Sequence, residues 1–288
     1  MRPMGVAANV SLAAVAALWL GTAVARADTV LWIDDTGNNI GTVDLTTGTT
    51  TVIGNANNGD TLTDIGFTAD KTLYGTSFSN LYSINQSTGA ATLVSALGVG
   101  GNGMNALVGD GGNLLAASSV TTSLYRLTPS PYSAVTFTGS TGAASAGDLA
   151  FAGGTLYESG VAGDGHDELI ALTLSGNSIT NATVIGEFNQ SGNHFTGVFG
   201  LADDGTTMYA VNGTTVYSVD LTDAALTTVS DYSGHGLTTA NGTAFINEGS
   251  AAVPEPSSLA LMASGLIGLF LFGRFFAGRR TRGTGAAG

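Results

Sequence analysis

The sequence predicts an all-β fold, a β-propeller of about five four-stranded blades, and three observations lead to this prediction. An apolar segment recurs five times, with its starting positions separated by 42, 41, 42 and 52 residues. The segment that follows it alternates apolar with small or polar residues, the period of a strand with one buried face. Glycine accounts for 43 of the 288 residues and charged residues for only 10%, which suits short strands and turns rather than long helices.

Each repeat contains three strand segments, and a fourth segment precedes most repeats. The first segments are residues 31–33, 73–75, 114–116, 156–158 and 208–210. The second segments are residues 40–44, 81–85, 124–128, 169–173 and 216–220. The third segments are residues 51–53, 92–94, 135–137, 183–185 and 227–229. The preceding segments are residues 64–67, 104–107, 148–151 and 199–201. Four strands in a unit of about 40–45 residues is the spacing of a propeller blade.

The first repeat lacks a preceding strand, and the end of the domain is expected to supply it from residues 236–239 and 243–246. Pairing the two ends would close the ring and leave no exposed sheet edge. We therefore expect five blades over residues 28–249. Six blades remain an alternative, because the last strand pair could begin another partial blade. A β-solenoid usually has shorter periods and a β-sandwich lacks a 42-residue rhythm, so these architectures are less favoured.

The N-terminal residues show the three parts of a secretory signal peptide in order. Arg2 precedes an apolar run over residues 10–20, and Ala25 and Ala27 occupy the −3 and −1 positions of a signal peptidase site. Residues 1–27 are therefore predicted to be a signal peptide, cleaved before Asp28. A buried N-terminal helix is the alternative.

The C-terminal residues also fall into three parts. A linker over residues 250–256 ends in Val253, Pro254, Glu255 and Pro256. Residues 257–273 carry no charge, and the stretch through residue 277 is long enough to cross a bilayer as a helix. Residues 278–288 form a basic tail that the positive-inside rule places in the cytoplasm. The basic residues at this end are Arg274, Arg279, Arg280 and Arg282.

This order of parts resembles the PEP-CTERM sorting signal of Gram-negative bacteria, over about the last 36 residues. The resemblance implies recognition by exosortase, a membrane cysteine protease-transpeptidase, with cleavage near the Pro-Glu-Pro motif. It also implies a surface or extracellular-matrix protein linked to exopolysaccharide and biofilm, which is held transiently in the inner membrane before processing. An ordinary C-terminal anchor is the alternative, although such an anchor does not need these prolines. The tail is a substrate of processing and implies no catalysis by this chain.

The repeats, especially residues 81–85 with 87–92, resemble propeller repeats of secreted bacterial proteins with no established activity. Six tyrosines recur at matched repeat positions, which favours packing between blades over a ring of carbohydrate-binding residues. These tyrosines are Tyr74, Tyr82, Tyr125, Tyr157, Tyr209 and Tyr217.

The charge is distributed unevenly along the chain. Between Asp28 and Val253 there are two basic residues, Lys71 and Arg126, against twenty acidic residues, a net charge of −18. Nucleic acids need Lys and Arg to replace their counterions, so no nucleic-acid partner is expected. The acidic surface suits solubility outside the cell and the binding of divalent cations. Because the chain has no cysteine, thiolate catalysis and zinc–thiolate sites are excluded.

No catalytic motif is recognisable, because the chain has neither a Gly-x-Ser-x-Gly elbow nor a Walker loop. Weak metal candidates are Asp164, Asp167 and Glu168, in an acidic loop whose oxygen ligands would suit calcium. Turn carboxylates more often hold the backbone, so calcium is only an open expectation. A three-histidine metal site would require three separate loops to converge. The histidines of these loops are His166, His194 and His235.

Three functional hypotheses remain. The first is a non-catalytic surface or matrix protein whose propeller binds polysaccharide, calcium or another protein. The second is a calcium-dependent propeller hydrolase or lactonase-like enzyme that uses loop carboxylates. The third is a tail-anchored periplasmic protein that exosortase never processes. Carboxylates converging in the central channel would favour the enzyme, and a channel lined by Ser, Thr and small apolar residues would favour a binding module.

Overall fold

The computed structural model describes residues 29–248, which form a ring of five four-stranded antiparallel sheets around one axis. The predicted five-bladed propeller is confirmed, and the alternative of six blades is wrong. The predicted signal peptide, Pro-Glu-Pro linker, transmembrane helix and basic tail lie outside the described residues. Between residues 29 and 248, no helix is long and apolar enough to span a membrane.

The strands follow the predicted repeats closely. Blade 1 contains β1 (Val30–Asp35), β2 (Asn39–Asp44) and β3 (Thr50–Asn55). Blade 2 contains β4 (Asp64–Phe67), β5 (Leu73–Thr76), β6 (Asn80–Ile84) and β7 (Ala91–Ala96). After a 3₁₀ turn at Gly100–Asn102, blade 3 contains β8 (Met104–Asp110), β9 (Asn113–Ser118), β10 (Leu124–Pro129) and β11 (Tyr132–Thr136).

Blades 4 and 5 are longer or carry an insertion. Blade 4 contains β12 (Ser145–Ala152), β13 (Thr155–Val161), β14 (Asp167–Ser175) and β15 (Ser178–Glu187). A small hairpin of β16 (Asn189–Gln190) and β17 (Asn193–His194) leads to blade 5. Blade 5 contains β18 (Val198–Asp203), β19 (Met208–Asn212), β20 (Thr215–Val219) and β21 (Leu226–Asp231), and β22 (Ala240–Ala244) follows it.

The ring closes because β22 pairs with β1, which builds blade 1 from both ends of the domain. Trp32 lies opposite Ala244, and Asp34 lies opposite Gly242. The closing strand was predicted from the right part of the chain, but it begins just after the first expected segment and includes only the first two residues of the second. Gly236 has a φ of 99°, so the chain turns there, and Leu237 packs into the core between blades 5 and 1.

The first strand of each blade lines the axis, and these inner strands are β22, β4, β8, β12 and β18. The chain then runs back and forth to an outer strand. Consequently, the loops that lead into the inner strands and the loops between second and third strands share one face. We call this the upper face of the propeller.

The core consists of five clusters of buried apolar side chains, one between each pair of neighbouring blades. Trp32 of blade 1 meets Phe67 of blade 2 edge-on, with ring centroids 5.4 Å apart. Phe245, just after β22, packs on Tyr209 of blade 5 with centroids 5.7 Å apart. Both faces of each sheet are therefore covered, and the contacts around β22 complete the ring. The tyrosines of the second segments are buried in these clusters, as the repeat pattern predicts: Tyr82, Tyr125 and Tyr217.

Candidate functional site

The upper end of the axis opens into a cavity of about 340 Å³, which we call the axial funnel. Every blade contributes to it through its inner strand or the residue just before that strand. These five residues are Asn241, Thr63, Asn105, Gly147 and Phe199. Phe78 and Ser119 add side chains from neighbouring loops of the same face.

Irregular strand pairing directs these residues towards the axis. Asn241, Asn105 and Phe199 are each the extra residue at a β-bulge, because the neighbouring strand pairs only with the residues on either side. In β12 the register shifts over the segment that contains Gly147. A bulge takes a side chain out of the normal alternation of a strand and re-aims it. Bulges at the same level in four blades therefore build the funnel.

The funnel combines exposed aromatic rings with amide and hydroxyl groups. Phe78 and Phe199 are 50% and 37% exposed. Asn105 is 8% exposed and donates its Nδ2 to the carbonyl of Ser145 at 3.1 Å, while its buried Oδ1 has no hydrogen-bond partner among the described residues. A buried acceptor without a donor costs about 1–3 kcal/mol unless a water or ligand satisfies it. The funnel therefore offers a polar anchor beside two aromatic surfaces.

Two buried carboxyl groups lie below the funnel, each one residue beyond a funnel residue of its own inner strand. Asp64 Oδ1 accepts the N–H of Ile65 at 2.7 Å, and its Oδ2 accepts the N–H of Leu107 in the next blade at 2.5 Å. Asp148 makes the equivalent pair of contacts in blades 4 and 5, both at 2.6 Å. Each aspartate thus joins its own inner strand to that of the following blade.

Burial raises the pKa of Asp64 and of Asp148 well above the ordinary range of an aspartate, and repulsion from Asp148 adds to the effect on Asp64. Asp34, also fully buried, has its pKa raised by burial and then by the charges of Asp148 and Asp35. The N–H groups of the Asn241 amide donate to backbone carbonyls, and neither side-chain oxygen of Asp34 has a hydrogen-bond partner among the described residues. These conditions favour protonated or proton-sharing carboxyl groups beneath the funnel.

Carboxylates do converge on the axis, the feature expected of an enzyme, but they are fully buried. The funnel itself is lined by aromatic, amide, hydroxyl and small residues. Sequence reasoning missed the funnel, because an alternating pattern does not reveal where a bulge will fall. The buried carboxyl groups beneath the funnel did leave a signal in the sequence, because an aspartate begins each of the segments 64–67 and 148–151 and a charged residue is unusual in an inner strand.

A second group of polar side chains lies on the upper face above blade 4. Asp164 and His166 come from the loop between β13 and β14, and Glu187 ends β15; their ligand atoms all lie within 4.8 Å of one another. The Nδ1 atom of His194, in β17, lies 2.5 Å from Glu187 Oε2. The rings of His166 and His194 have centroids 5.3 Å apart. We call these four residues the histidine–carboxylate cluster.

The metal candidates from the sequence lie in or beside this cluster. Asp164 belongs to it, and its Oδ2 lies 2.9 Å from His166 Nδ1. Asp167 directs its Oδ2 to the N–H of Val198 at 2.7 Å and so fixes the start of β18. Glu168 lies opposite Glu187 in the β14–β15 pair, and burial followed by the charge of Glu187 raises its pKa.

Two of the three histidines thus converge, whereas the third lies elsewhere on the ring. The carbonyl of His235 accepts a hydrogen bond from Thr50 Oγ1 in blade 1. The sequence could not predict the convergence, because the hairpin that presents His194 has strands of only two residues.

A larger cavity of about 680 Å³ lies on the lower face between blades 4 and 5. Its polar groups come from turns and are already used by those turns. Asp203 Oδ1 accepts the N–H of Gly205, and Asp220 Oδ1 accepts the N–H of Thr222, both at 2.8 Å. We therefore regard the axial funnel, with its unpartnered amide oxygen, as the stronger candidate despite its smaller volume.

The C-terminal residues match a family model described as the PEP-CTERM protein-sorting motif, over residues 252–280. The chain carries a PEP-CTERM sorting motif. The match confirms the resemblance seen in the order of the terminal parts. A PEP-CTERM motif implies an exported protein that exosortase processes and that reaches the surface or the extracellular space.

No curated protein matches this chain. Among solved structures, a chain of a nidogen/laminin complex is 13% identical, with 76% of this chain and 85% of that chain covered and a TM-score of 0.48. A structural-genomics protein of unknown function from Bacteroides thetaiotaomicron is 16% identical, with 64% and 54% covered and a TM-score of 0.47. A streptogramin B lyase is 10% identical, with 74% and 69% covered and a TM-score of 0.43. Such distant likenesses carry no argument about ligand or activity.

Proposed function

We propose that this PEP-CTERM protein is a non-catalytic binding module of a Gram-negative bacterium, placed at the cell surface or in the extracellular matrix, and that the axial funnel is its ligand site. The observation that carries the proposal is the convergence of all five blades on one cavity. Pockets of about 300–1,000 Å³ with apolar walls and a few placed polar groups are typical small-ligand sites.

The chemistry of the funnel suits a neutral, hydroxyl-rich ligand, which we take to be a segment of exopolysaccharide. The rings of Phe78 and Phe199 offer apolar surface to the C–H face of a sugar, and Asn105 offers an unpartnered acceptor to a sugar hydroxyl. The lining residues carry no charged side chain. A net charge of −18 on the exported domain would repel a polyanionic polymer.

This role fits the proposed sequence of events after export. The transmembrane helix predicted from the sequence over residues 257–277 would hold the protein in the inner membrane until exosortase cleaves near Pro254, Glu255 and Pro256. The propeller would then remain in the polysaccharide matrix of a biofilm through its funnel.

A calcium-dependent hydrolase would need carboxylates that face a substrate. Asp64 and Asp148 instead accept backbone N–H groups, at distances of 2.5–2.7 Å, from their own and neighbouring blades. This use of the carboxylates favours a structural role for them and supports the binding module over the enzyme.

Binding is tested with the full chain, purified in detergent and titrated calorimetrically with the neutral exopolysaccharide of the producing bacterium. Phe199→Ala is expected to weaken binding roughly tenfold or more, since an aromatic anchor contributes about 2 kcal/mol or more at such sites. Leu93→Ala is the matched control, because Leu93 is 58% exposed on the outer strand β7. Equal affinities for the two variants, or binding only of charged polysaccharide, would reject the funnel as the site.

Processing is tested separately by intact-mass measurement of the protein from cells and from the medium. A species that ends near Pro254 is expected in the wild type, and joint substitution of Pro254, Glu255 and Pro256 by alanine should prevent its formation. A mature wild-type protein that still contains Arg279 and Arg280 would contradict exosortase processing, whatever the binding result.

A further inference from the structure

We propose that the histidine–carboxylate cluster is a binding site for a zinc-type divalent metal ion, with His166, His194, Glu187 and Asp164 as its ligands. The site is independent of the ligand of the funnel. It brings together two imidazoles and two carboxylates from three separate segments of the upper face.

Asp164, His166 and Glu187 offer ligand atoms that all lie within 4.8 Å of one another, and His194 joins this group through its contact with Glu187. Glu187 Oε2 lies 2.5 Å from His194 Nδ1 and 3.9 Å from His166 Nδ1, and Asp164 Oδ2 lies 2.9 Å from His166 Nδ1. Zinc–ligand bonds of about 2.0–2.1 Å in a tetrahedral site place neighbouring donor atoms about 3.3 Å apart. The three observed distances lie on both sides of this value, so side-chain rotations would bring the donors to coordination distance.

The backbone holds both histidines in place. Asp164 Oδ1 accepts the N–H of His166 at 3.0 Å, and Gly165 between them has a φ of 91°, which closes the loop tightly. His194 pairs with Asn189 across the small hairpin. Their side chains are 39% and 43% exposed, so an ion can reach them from solvent.

The donor set selects the class of metal. Calcium prefers six to eight oxygen ligands, whereas this cluster offers two imidazole nitrogens besides its carboxylate oxygens. Imidazole nitrogen suits zinc, copper, nickel and cobalt, and zinc is commonly held by four ligands of the His and Asp/Glu type. The calcium expected from the acidic loop is therefore less favoured than zinc.

An ion at this site would join the β13–β14 loop to the hairpin that leads into blade 5. Phe199 of the funnel lies five residues after His194. Val198 lies between these two residues and donates its N–H to Asp167 Oδ2. Metal binding would therefore stiffen the segment that carries one aromatic wall of the funnel.

The test uses the full chain in detergent, stripped of metal with a chelator and titrated with Zn²⁺ by calorimetry. One equivalent is expected to bind. His166→Asn and His194→Asn should each weaken binding roughly tenfold or more, because even the loss of a residue that only supports a metal ligand has an effect of this size. His235→Asn is the matched control, because His235 is also in an exposed loop but distant in the fold. Visible absorption of bound Co²⁺, lost in the first two variants only, should report the imidazole ligands.

The proposal would be overturned by the absence of saturable Zn²⁺ binding, by the same loss of affinity in the control variant, or by equally tight binding of Ca²⁺. Because the side chains of His166 and His194 are partly exposed, the metal-free variants should unfold at the same temperature as the metal-free wild type. A Co²⁺ spectrum unchanged by both substitutions would equally exclude these histidines as ligands, even if a variant unfolds more easily.

Discussion

Asp64 and Asp148 lie beside each other at the propeller axis, where each alters the pKa of the other, and their carboxyl groups together accept hydrogen bonds from the inner strands of all five blades. Asp64 accepts the N–H of Leu107 in blade 3 besides an N–H of its own blade 2. Asp148 accepts the N–H of Leu201 in blade 5 and the N–H and hydroxyl of Thr243 in blade 1, the last two at 3.3 and 3.2 Å. The inner strands are thus joined at the axis by polar contacts rather than by packed apolar side chains.

Small residues make room for these two carboxyl groups. The equivalent positions of the other three inner strands are Gly242, Ala106 and Gly200. A Cβ atom added at Gly242 would lie only 2.0 Å from Asp64 Oδ1, and one at Gly200 would lie 2.6 Å from Thr243. The positions of Gly242 and Gly200 therefore leave no room for a side chain beside these carboxyl groups.

Replacement of Asp148 should destabilise the whole ring. Asp148→Ala leaves the N–H groups of Leu201 and Thr243 without an acceptor in a buried place, at about 1–3 kcal/mol each. We expect the free energy of unfolding to fall by roughly 3 kcal/mol or more in chemical denaturation. Asp223→Ala is the control, since Asp223 accepts one N–H in an exposed turn, and it should cost less than about 1 kcal/mol. Similar losses in the two variants would argue against the structural role of Asp148.

The close approach of Gly242 to Asp64 gives a second test of the axis. Gly242→Ala should destabilise the protein by about 1–3 kcal/mol or more, because overpacked sites can relax only by moving backbone or displacing the carboxyl group. Gly112→Ala is the control, as an added Cβ there meets nothing within 4 Å. Thermal unfolding of the two variants measures the difference. A Gly242→Ala protein as stable as the wild type would mean that the axis is looser than described.

The sequence predicted the strands of every blade because their alternation reflects burial on one or both faces. Residues 40–44 and 81–85, for example, fall on β2 and β6. The pairing of the chain ends was also predictable, since the first repeat lacked a strand. The predicted position of the closing strand β22 was wrong by a few residues. The turn at Gly236 is followed by an extended segment that only tertiary contacts distinguish from a strand.

The candidate sites were less predictable than the fold. Asn105 and Phe199 reach the funnel through bulges, which depend on the pairing of two strands rather than on either sequence alone. Asp164 could be named from its acidic loop. His194 could be named only as part of a three-histidine site, because the hairpin that carries it is too short to leave a pattern, and Glu187 could not be named, because it ends the separate strand β15.

Closure of the ring depends on apolar contacts as well as on strand pairing. Phe245 is fully buried and packs on Tyr209, between blades 5 and 1. Phe245→Ala should lower the free energy of unfolding by about 3–5 kcal/mol. Phe78→Ala, at a half-exposed position in the funnel, should change it by less than about 1 kcal/mol. Denaturant titration of both variants checks this, and equal midpoints would contradict closure through this contact.

Glu158 should make the protein more stable at mildly acidic pH than at alkaline pH. It is fully buried in β13, neither of its oxygens forms a hydrogen bond among the described residues, and burial raises its pKa to about 8 from an ordinary value of 4.5. As the pH rises from about 4.5 to 8, the unfolded chain loses this proton while the folded protein keeps it. The stability therefore falls by up to about 1.4 kcal/mol per pH unit in this window.

Glu158→Gln removes this titration and isolates its contribution. The variant should show a flatter dependence of unfolding free energy on pH and should gain stability relative to the wild type between pH 6 and 8, in a window set by the pKa of Glu158. A smaller slope of the same sign should persist, because burial also raises the pKa values of Asp34, Asp64 and Asp148. Denaturation curves at pH 5, 6.5 and 8 (values chosen to span roughly that window) measure both slopes. Identical slopes in the two proteins, or a wild type that becomes more stable as the pH rises, would show that the Glu158 carboxyl group is not kept protonated by its burial.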